Sequence, residues 1–208
     1  MDNIPELKNQ SHQEYHHGNL RKALVDAALG ILKEEGIQLL SLRGVARRAG
    51  VSPTAPYSHF KDKTCLLAAV ARKGYLAMGK SMELEAMGTI TAKERMLGMA
   101  RGYVKFAIGE KELFQLMFGN EIGPFDRFPD LEKAAATCQD LLVNGGGGAL
   151  FVDEEPLAIQ PVEALAAWSL VHGLATLLID GKANPESFGI SDHDSLVDSV
   201  ASLLILAE

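Results

Sequence analysis

Apolar residues recur at spacings of three and four along most of this chain, a period that predicts helices joined by short breaks. From Asn19, a candidate cap, Leu20, Leu24, Ala27, Ala28, Ile31 and Leu32 form one stripe, and Gly36 stands where that helix would stop. Residues 1 to 14 show no such period and read as a mobile arm. Behind Ser41 a short helix is expected, with Leu42, Val45, Ala46 and Ala49 on its buried face. Gly50 ends it, since a glycine takes the left-handed conformation that other residues resist, and the turn should bury Val51. Ser52 then caps a third helix, with Pro53 at its first position, where a missing backbone donor costs nothing.

Pro56 disturbs that third helix. Counted from Ser52 it is the first residue expected to donate a helical hydrogen bond, and it has no donor; it also pushes Ala55 away from helical angles. The segment should therefore start irregularly or as a tighter 3₁₀ helix, with Thr54 held on a turn and Pro56 stacked on the local core or on a base methyl.

Farther along, Asp62 can cap a long helix over residues 63–87, and Thr91 with Glu94 forms a capping box for a helix carrying Met96, Leu97, Met99, Ala100, Tyr103, Val104, Phe106 and Ala107. A short helix over 110–119, a loop over 123–129, and a helix from Asp130 follow. The Gly145-Gly146-Gly147-Gly148 run lacks the Gly-Lys-Ser/Thr of a phosphate loop and reads as a linker. Helices over 161–181 and from Ser191 or Asp192 onward close the chain. These last two are apolar around more of their circumference than one core face requires, which points to a partner. The expectation is an all-α chain of about nine helices.

Charge divides the molecule. The net charge is -7, but residues 1 to 80 carry 12 basic and 7 acidic side chains while the rest carry 8 and 20. A positive N-terminal part and an acidic remainder suit a protein that meets a polyanion with one face and keeps the other part away from it. No long apolar run spans a membrane's width and no secretory signal opens the sequence, so a cytoplasmic location without membrane attachment is expected. Cys65 and Cys138 are far apart and read as packers, with neither a disulfide framework nor a zinc site implied. His12, His16 and His17 lack a third ligand at fixed spacing, which favours a DNA-backbone or solvent role over metal.

Two short helices meeting at Gly50 form a helix-turn-helix, the unit whose second helix enters the major groove of double-stranded DNA. Thr54, Ala55, Tyr57, Ser58 and His59 offer hydroxyls, an imidazole and a methyl for base edges, while Arg43, Arg47, Arg48, Lys61 and Lys63 supply positive charge. The candidate DNA-binding residues are Ser41, Arg43, Ser52, Pro53, Thr54, Ala55, Tyr57, Ser58, His59 and Lys63. In the acidic part, Met99, Tyr103, Phe106, Phe114, Met117, Phe118, Trp168 and His172 are the candidate ligand-binding residues. Adaptable methionines and broad rings suit a largely apolar or aromatic molecule, and plain core packing accounts for the same residues. No cofactor is implied. A helical enzyme would require paired carboxylates or a nucleophile with a companion histidine, and no such pattern occurs at helical spacing. A protein-only adaptor fits poorly with the basic, groove-sized helix.

The run Val51-Ser-Pro-Thr-Ala-Pro-Tyr-Ser-His-Phe-Lys-Asp-Lys-Thr-Cys-Leu-Leu67 resembles the signature of TetR-type bacterial repressors, through Val51, Ser52, Tyr57, Phe60, Lys63, Leu66 and Leu67. Thr54-Ala55-Pro56 stands where Gly-Thr-Leu is usual in that family, and His59 replaces an aromatic. Trp168-Ser-Leu-Val-His172-Gly173, with Ala55-Pro56-Tyr57 and His16-His17-Gly18, resembles one branch of it. The resemblance implies a three-helix DNA-binding head over residues 15–62 and a ligand-binding and dimerisation domain over 63–208. It further implies a homodimer paired through the last two helices, and repression of an operator relieved by a small-molecule effector.

Overall fold

The computed structural model describes residues 10–144 and 161–205. Among the described residues every regular element is helical: eight α-helices and three short 3₁₀ helices, with no strand. None of these helices is long and apolar enough to cross a membrane. The chain separates into two compact units, one comprising the residues up to Val70 with Gly119–Gly123, the other Ala71–Phe118 with the residues from Pro124 on.

The first unit, the head, is built on α1 (Gln10–Glu35) and α2 (Leu42–Arg48). Helix α1 starts nine residues before Asn19, so Asn19 does not cap it, and residues 10–14 are helical where an arm was expected. Once the apolar stripe has nucleated the helix, extending it backward fixes one residue per hydrogen bond, and no apolar contact is needed to continue it. The rest of the expected arm lies outside the described residues. Gly36 ends α1 at a φ of +81°. The core consists of Leu24, Ala28, Ile31 and Leu32 from α1, Leu40, Leu42, Val45 and Ala46 around α2, and Phe60, Leu66 and Leu67 beyond it, all buried. Each of the larger side chains contributes about 1.5–3 kcal/mol when fully covered. Val51 is only half-buried, short of what the turn alone suggested.

The second unit, the body, centres on α4 (Ala92–Gly109), which packs on α5 (Lys111–Phe118), α6 (Pro129–Asn144), α7 (Pro161–Ile179) and α8 (His193–Ile205). The long α3 (Lys63–Glu85) gives its residues from Ala71 on to this unit. Asp62 Oδ1 accepts from the Cys65 amide at 2.8 Å, the Thr91–Glu94 capping box opens α4, and Asp192 Oδ1 accepts from the Ser195 amide to open α8. The expected loop before α6 holds a 3₁₀ turn, Phe125–Arg127. The glycine run at 145–148 lies outside the described residues.

Two glycines let α4 lie against α3 at backbone distance. A Cβ added at Gly102 would stand 2.5 Å from the Ser81 carbonyl oxygen, and closer still to Met82 Cα; one added at Gly98 would stand 2.7 Å from Glu85 O. The Ser81 hydroxyl donates to the Gly102 carbonyl at 2.9 Å across the same contact. Charges bind α4 to its other neighbours. Arg101 pairs with Asp198 at 2.7 Å, and Lys105 reaches both Asp194 of α8 and Glu85 of α3 at 2.9 Å. Those two carboxylates raise the Lys105 pKa.

Candidate nucleic-acid interface and effector site

In the head, Ser41 caps α2 by accepting from the Gly44 amide at 3.1 Å, which holds Arg43 exposed at the helix start. Gly50, at a φ of +70°, makes the sharp turn. After it no α-helix forms. The segment is a 3₁₀ helix, Ala55–Ser58, and the Ser52 cap with Pro53 at a first α-helical position is corrected. The hydrogen bonds give the reason: Ala55 N donates to Ser52 O, Tyr57 N to Thr54 O, and His59 N to Pro56 O, each three residues back. Pro56 has no donor to close a wider turn, so the chain tightens around it. Pro56 itself is buried in the head.

That turn sorts the candidate residues. Ser52, Pro53, Thr54, Tyr57 and Ser58 are exposed, Tyr57 at 53%, whereas Ala55 and His59 are half-buried. The Ser52 and Thr54 hydroxyls lie 3.2 Å apart, within hydrogen-bond reach of each other, while the Ser58 hydroxyl donates to Ala55 O at 2.7 Å and can only accept from anything further. Lys63 Nζ donates to Ile37 O at 2.9 Å, which fastens the start of α3 to the α1–α2 connection and leaves its other protons for a phosphate. Arg48, exposed, folds across α1: its guanidinium lies over Gly30 and forms a two-pronged pair with Glu34, which lowers the Glu34 pKa. Arg21, absent from the sequence candidates, places its guanidinium 5.2 Å from the Phe60 ring centroid. Cation–aromatic pairing of residues 39 apart leaves no local trace in a sequence.

In the body the candidate ligand residues fall into two groups. Met99, Phe106 and Met117 are buried packers; Met117 O accepts from the Tyr75 hydroxyl at 3.1 Å. Tyr103, Phe114, Phe118, Trp168 and His172 come together as a cage. Phe114 stacks on the His172 imidazole at 5.4 Å and 26°, Phe118 meets it edge-on at 4.6 Å, and Trp168 lies 6.2 Å away. Tyr103 and Phe114 form the closed floor, while Phe118, Trp168 and His172 remain half-buried. The Tyr103 hydroxyl is 2.8 Å from His172 Nδ1. Burial pushes the Tyr103 pKa up and the His172 pKa down, so the phenol is protonated and the imidazole neutral near pH 7. Beside the cage a small apolar cleft of about 20 Å³, room for a water molecule or so, is lined by Met96, Leu97, Ala100, Leu142, Ala167, Val171 and Ala201. Among the described residues no group of three His, Cys, Asp or Glu side chains is placed to hold a metal.

Residues 24–70 match the family model described as bacterial regulatory proteins, tetR family, and residues 96–204 match the one described as tetracyclin repressor-like, C-terminal domain. The chain is 25% identical over 163 residues to the uncharacterized HTH-type transcriptional regulator YobS of Bacillus subtilis, covering 77% of this chain and 80% of that one. A protein of unknown function from Rhodococcus sp. RHA1 superposes with a TM-score of 0.69 at 32% identity, over 92% of this chain and 96% of the other. A TetR transcriptional regulator from the same organism shares the fold, with a TM-score of 0.64 at 17% identity over 93% and 98%.

Proposed function

Because this chain belongs to the TetR family of DNA-binding transcriptional regulators, we propose that it works as a homodimeric repressor, released from its operator when a small, largely apolar molecule occupies the body. Operator binding is assigned to residues 15–62, and effector binding and dimerisation to 63–208. The observation that carries the reading is the Ser52–Ser58 segment, a tight turn that exposes Thr54 and Tyr57 while Pro56 anchors it from inside. Arg43, Arg47 and Lys61 are exposed around it as phosphate partners. The dimer rests on α7 and α8, where Val162, Leu165, Leu177 and Leu203 are all exposed in the single chain. Apolar side chains on two adjacent helices call for a cover, and a second copy offers the same surface.

Selection on random-sequence duplexes, followed by salt titration on the winning sequence, tests the DNA reading. With about six phosphates neutralised per dimer, the log-log slope should be near -5, so that raising salt from about 50 to 200 mM weakens binding about a thousandfold. Failure to enrich any sequence, or a slope near zero, sinks the proposal. Leu203→Glu would bury an unpaired charge twice by symmetry and should give a monomer in sedimentation; an intact dimer would move the interface elsewhere.

A further inference from the structure

The four arginines of the head, Arg21, Arg43, Arg47 and Arg48, are of two kinds. Arg48 is engaged within the protein: its guanidinium forks onto Glu34, and Glu35 lies 3.9 Å away. Arg21, Arg43 and Arg47 are exposed, and none of them has a carboxylate or hydrogen-bond partner among the described residues. Arg21 differs from the other two in being held. Its guanidinium carbon lies 5.2 Å from the Phe60 ring centroid, and that ring is buried. The Phe60 amide in turn donates to Pro56 O at 2.9 Å, inside the turn that exposes Thr54 and Tyr57. Through its ring and its amide, Phe60 therefore joins an arginine of α1 to the Ser52–Ser58 segment. No acid stands ready to neutralise that arginine. The α1 positions three and four residues away are His17, Gly18, Leu24 and Val25, and Asp62, the first carboxylate after Phe60, accepts from the Cys65 amide.

We propose that Arg21, fixed over Phe60, grips a backbone phosphate of the operator beside the Ser52–Ser58 segment. The proposal rests on the reading of the head as the operator-binding unit, and it adds α1 as a second element that touches DNA. An arginine held on an aromatic ring has already given up much of its rotamer freedom, so less is lost when it meets a partner. Its planar fork of N–H donors is unbonded and matches a phosphate better than a lysine ammonium would. A phosphate is the target, and not a base, because Arg21 comes from outside the two elements of the helix-turn-helix and meets the duplex at the flank of the groove. Base edges are left to the exposed side chains of the turn.

Binding of the full-length protein to its selected operator, followed from about 50 to 200 mM salt, tests this. Arg21→Met removes the charge and keeps an unbranched stem over Phe60. Its log-log slope should be shallower than the parent's by about 0.9 for each lost phosphate contact, about 1.8 per dimer. Affinity at about 100 mM salt should fall at least about tenfold, and by the same factor on every sequence. Arg21→Lys restores the charge without the fork, so its slope should return to within about 0.5 of the parent while affinity stays lower. Unfolding midpoints of both variants should lie within about 4 °C of the parent, since an exposed cation–aromatic pair contributes little to stability. Arg48→Met, which removes the same charge from a residue already paired with Glu34, should leave the slope as it is. A parental slope in Arg21→Met overturns the proposal, and a lowered midpoint alongside it makes Arg21 a cover for Phe60. Equal shallowing in Arg48→Met overturns it as a general effect of net charge. An affinity loss confined to operators with one particular base pair overturns it in favour of a base contact. Failure of the parent to select any operator removes the DNA reading itself, and this proposal with it.

Discussion

In the head, the side chains with chemistry to offer lie outside: Ser52, Thr54, Tyr57 and Ser58 are exposed, and one buried proline holds the turn that carries them. In the body the order is reversed, with the Tyr103 hydroxyl and the His172 imidazole bonded to each other among aromatic rings. Even the glycines divide this way. Gly50 is needed for its positive φ at an open turn, with no atom within 4 Å of an added Cβ, whereas Gly102 is needed because there is no room for a Cβ. A surface that reads a polyanion can leave its polar groups to water until the partner arrives. An interior that recognises a small molecule must satisfy nearly all of its polar groups in advance, because each one left unmet costs about 1–3 kcal/mol.

The largest effect is expected where the body is tightest. Gly102→Ala sets a methyl against backbone atoms of Ser81 and Met82, which cannot rotate aside as a side chain could. Helices α3 and α4 must separate, at a cost of about 3 kcal/mol, the upper end of overpacking penalties, read as a lower urea midpoint. An unchanged midpoint would mean that the close approach is slack and the contrast with Gly50 is false. A smaller loss, about 1 kcal/mol, is expected for Tyr103→Phe at pH 8, since His172 Nδ1 loses its partner while the packing stays.

Acid should find the same site. Burial holds the folded His172 pKa below 6.5, so the unfolded chain takes up the proton first as pH falls. This histidine therefore costs nothing at pH 8, and stability declines from about pH 6.5 down through its folded value. Comparing urea midpoints of the parent and His172→Gln from pH 8 to 5 isolates the effect from the other histidines. If the two curves stay parallel, the imidazole is not buried in solution as it is here.

What could be read from the sequence follows the range of each interaction. Ser41, Asp62 and Thr91 with Glu94 were legible as caps because each bond closes within three residues, and the choice between Ser191 and Asp192 falls to Asp192. The 3₁₀ turn at Pro56 was legible for the same reason, and the same proline cancelled the Ser52 cap that the sequence also suggested. The start of α1 was not, because residues 10–18 carry no stripe and the helix simply runs on through them. Trp168 and His172 share a visible spacing, but Tyr103, which orients the histidine, lies 69 residues away and is joined to it only by the packing of α4 on α7. The residue types of the cage are legible one by one; the Tyr103–His172 hydrogen bond that joins two of them exists only in the fold.

Pro56 offers the smallest change in stability and the sharpest test of how the head differs from the body. Replacing it with leucine, the residue more usual in the family, supplies the missing amide donor, which adds about 1 kcal/mol if it is bonded. It also frees φ in the unfolded chain, which removes about 0.4–1 kcal/mol. The two nearly cancel, so head stability should stay within about 1 kcal/mol of the parent. Geometry has no such compensation. With a donor at position 56 the first turn can widen to α-helical spacing, which breaks the Tyr57 N to Thr54 O bond and swings the Ser52–Thr54 hydroxyl pair relative to Tyr57. Selection on random duplexes should then change the preferred base at the pair nearest Thr54 and leave the rest of the operator alone. Thr54→Ala should relax the same position, while Lys63→Ala, acting on phosphate, weakens every sequence about equally. If Pro56→Leu ranks operators as the parent does, the turn is a tolerated irregularity, and the reading face takes its specificity from residues outside Ser52–Ser58.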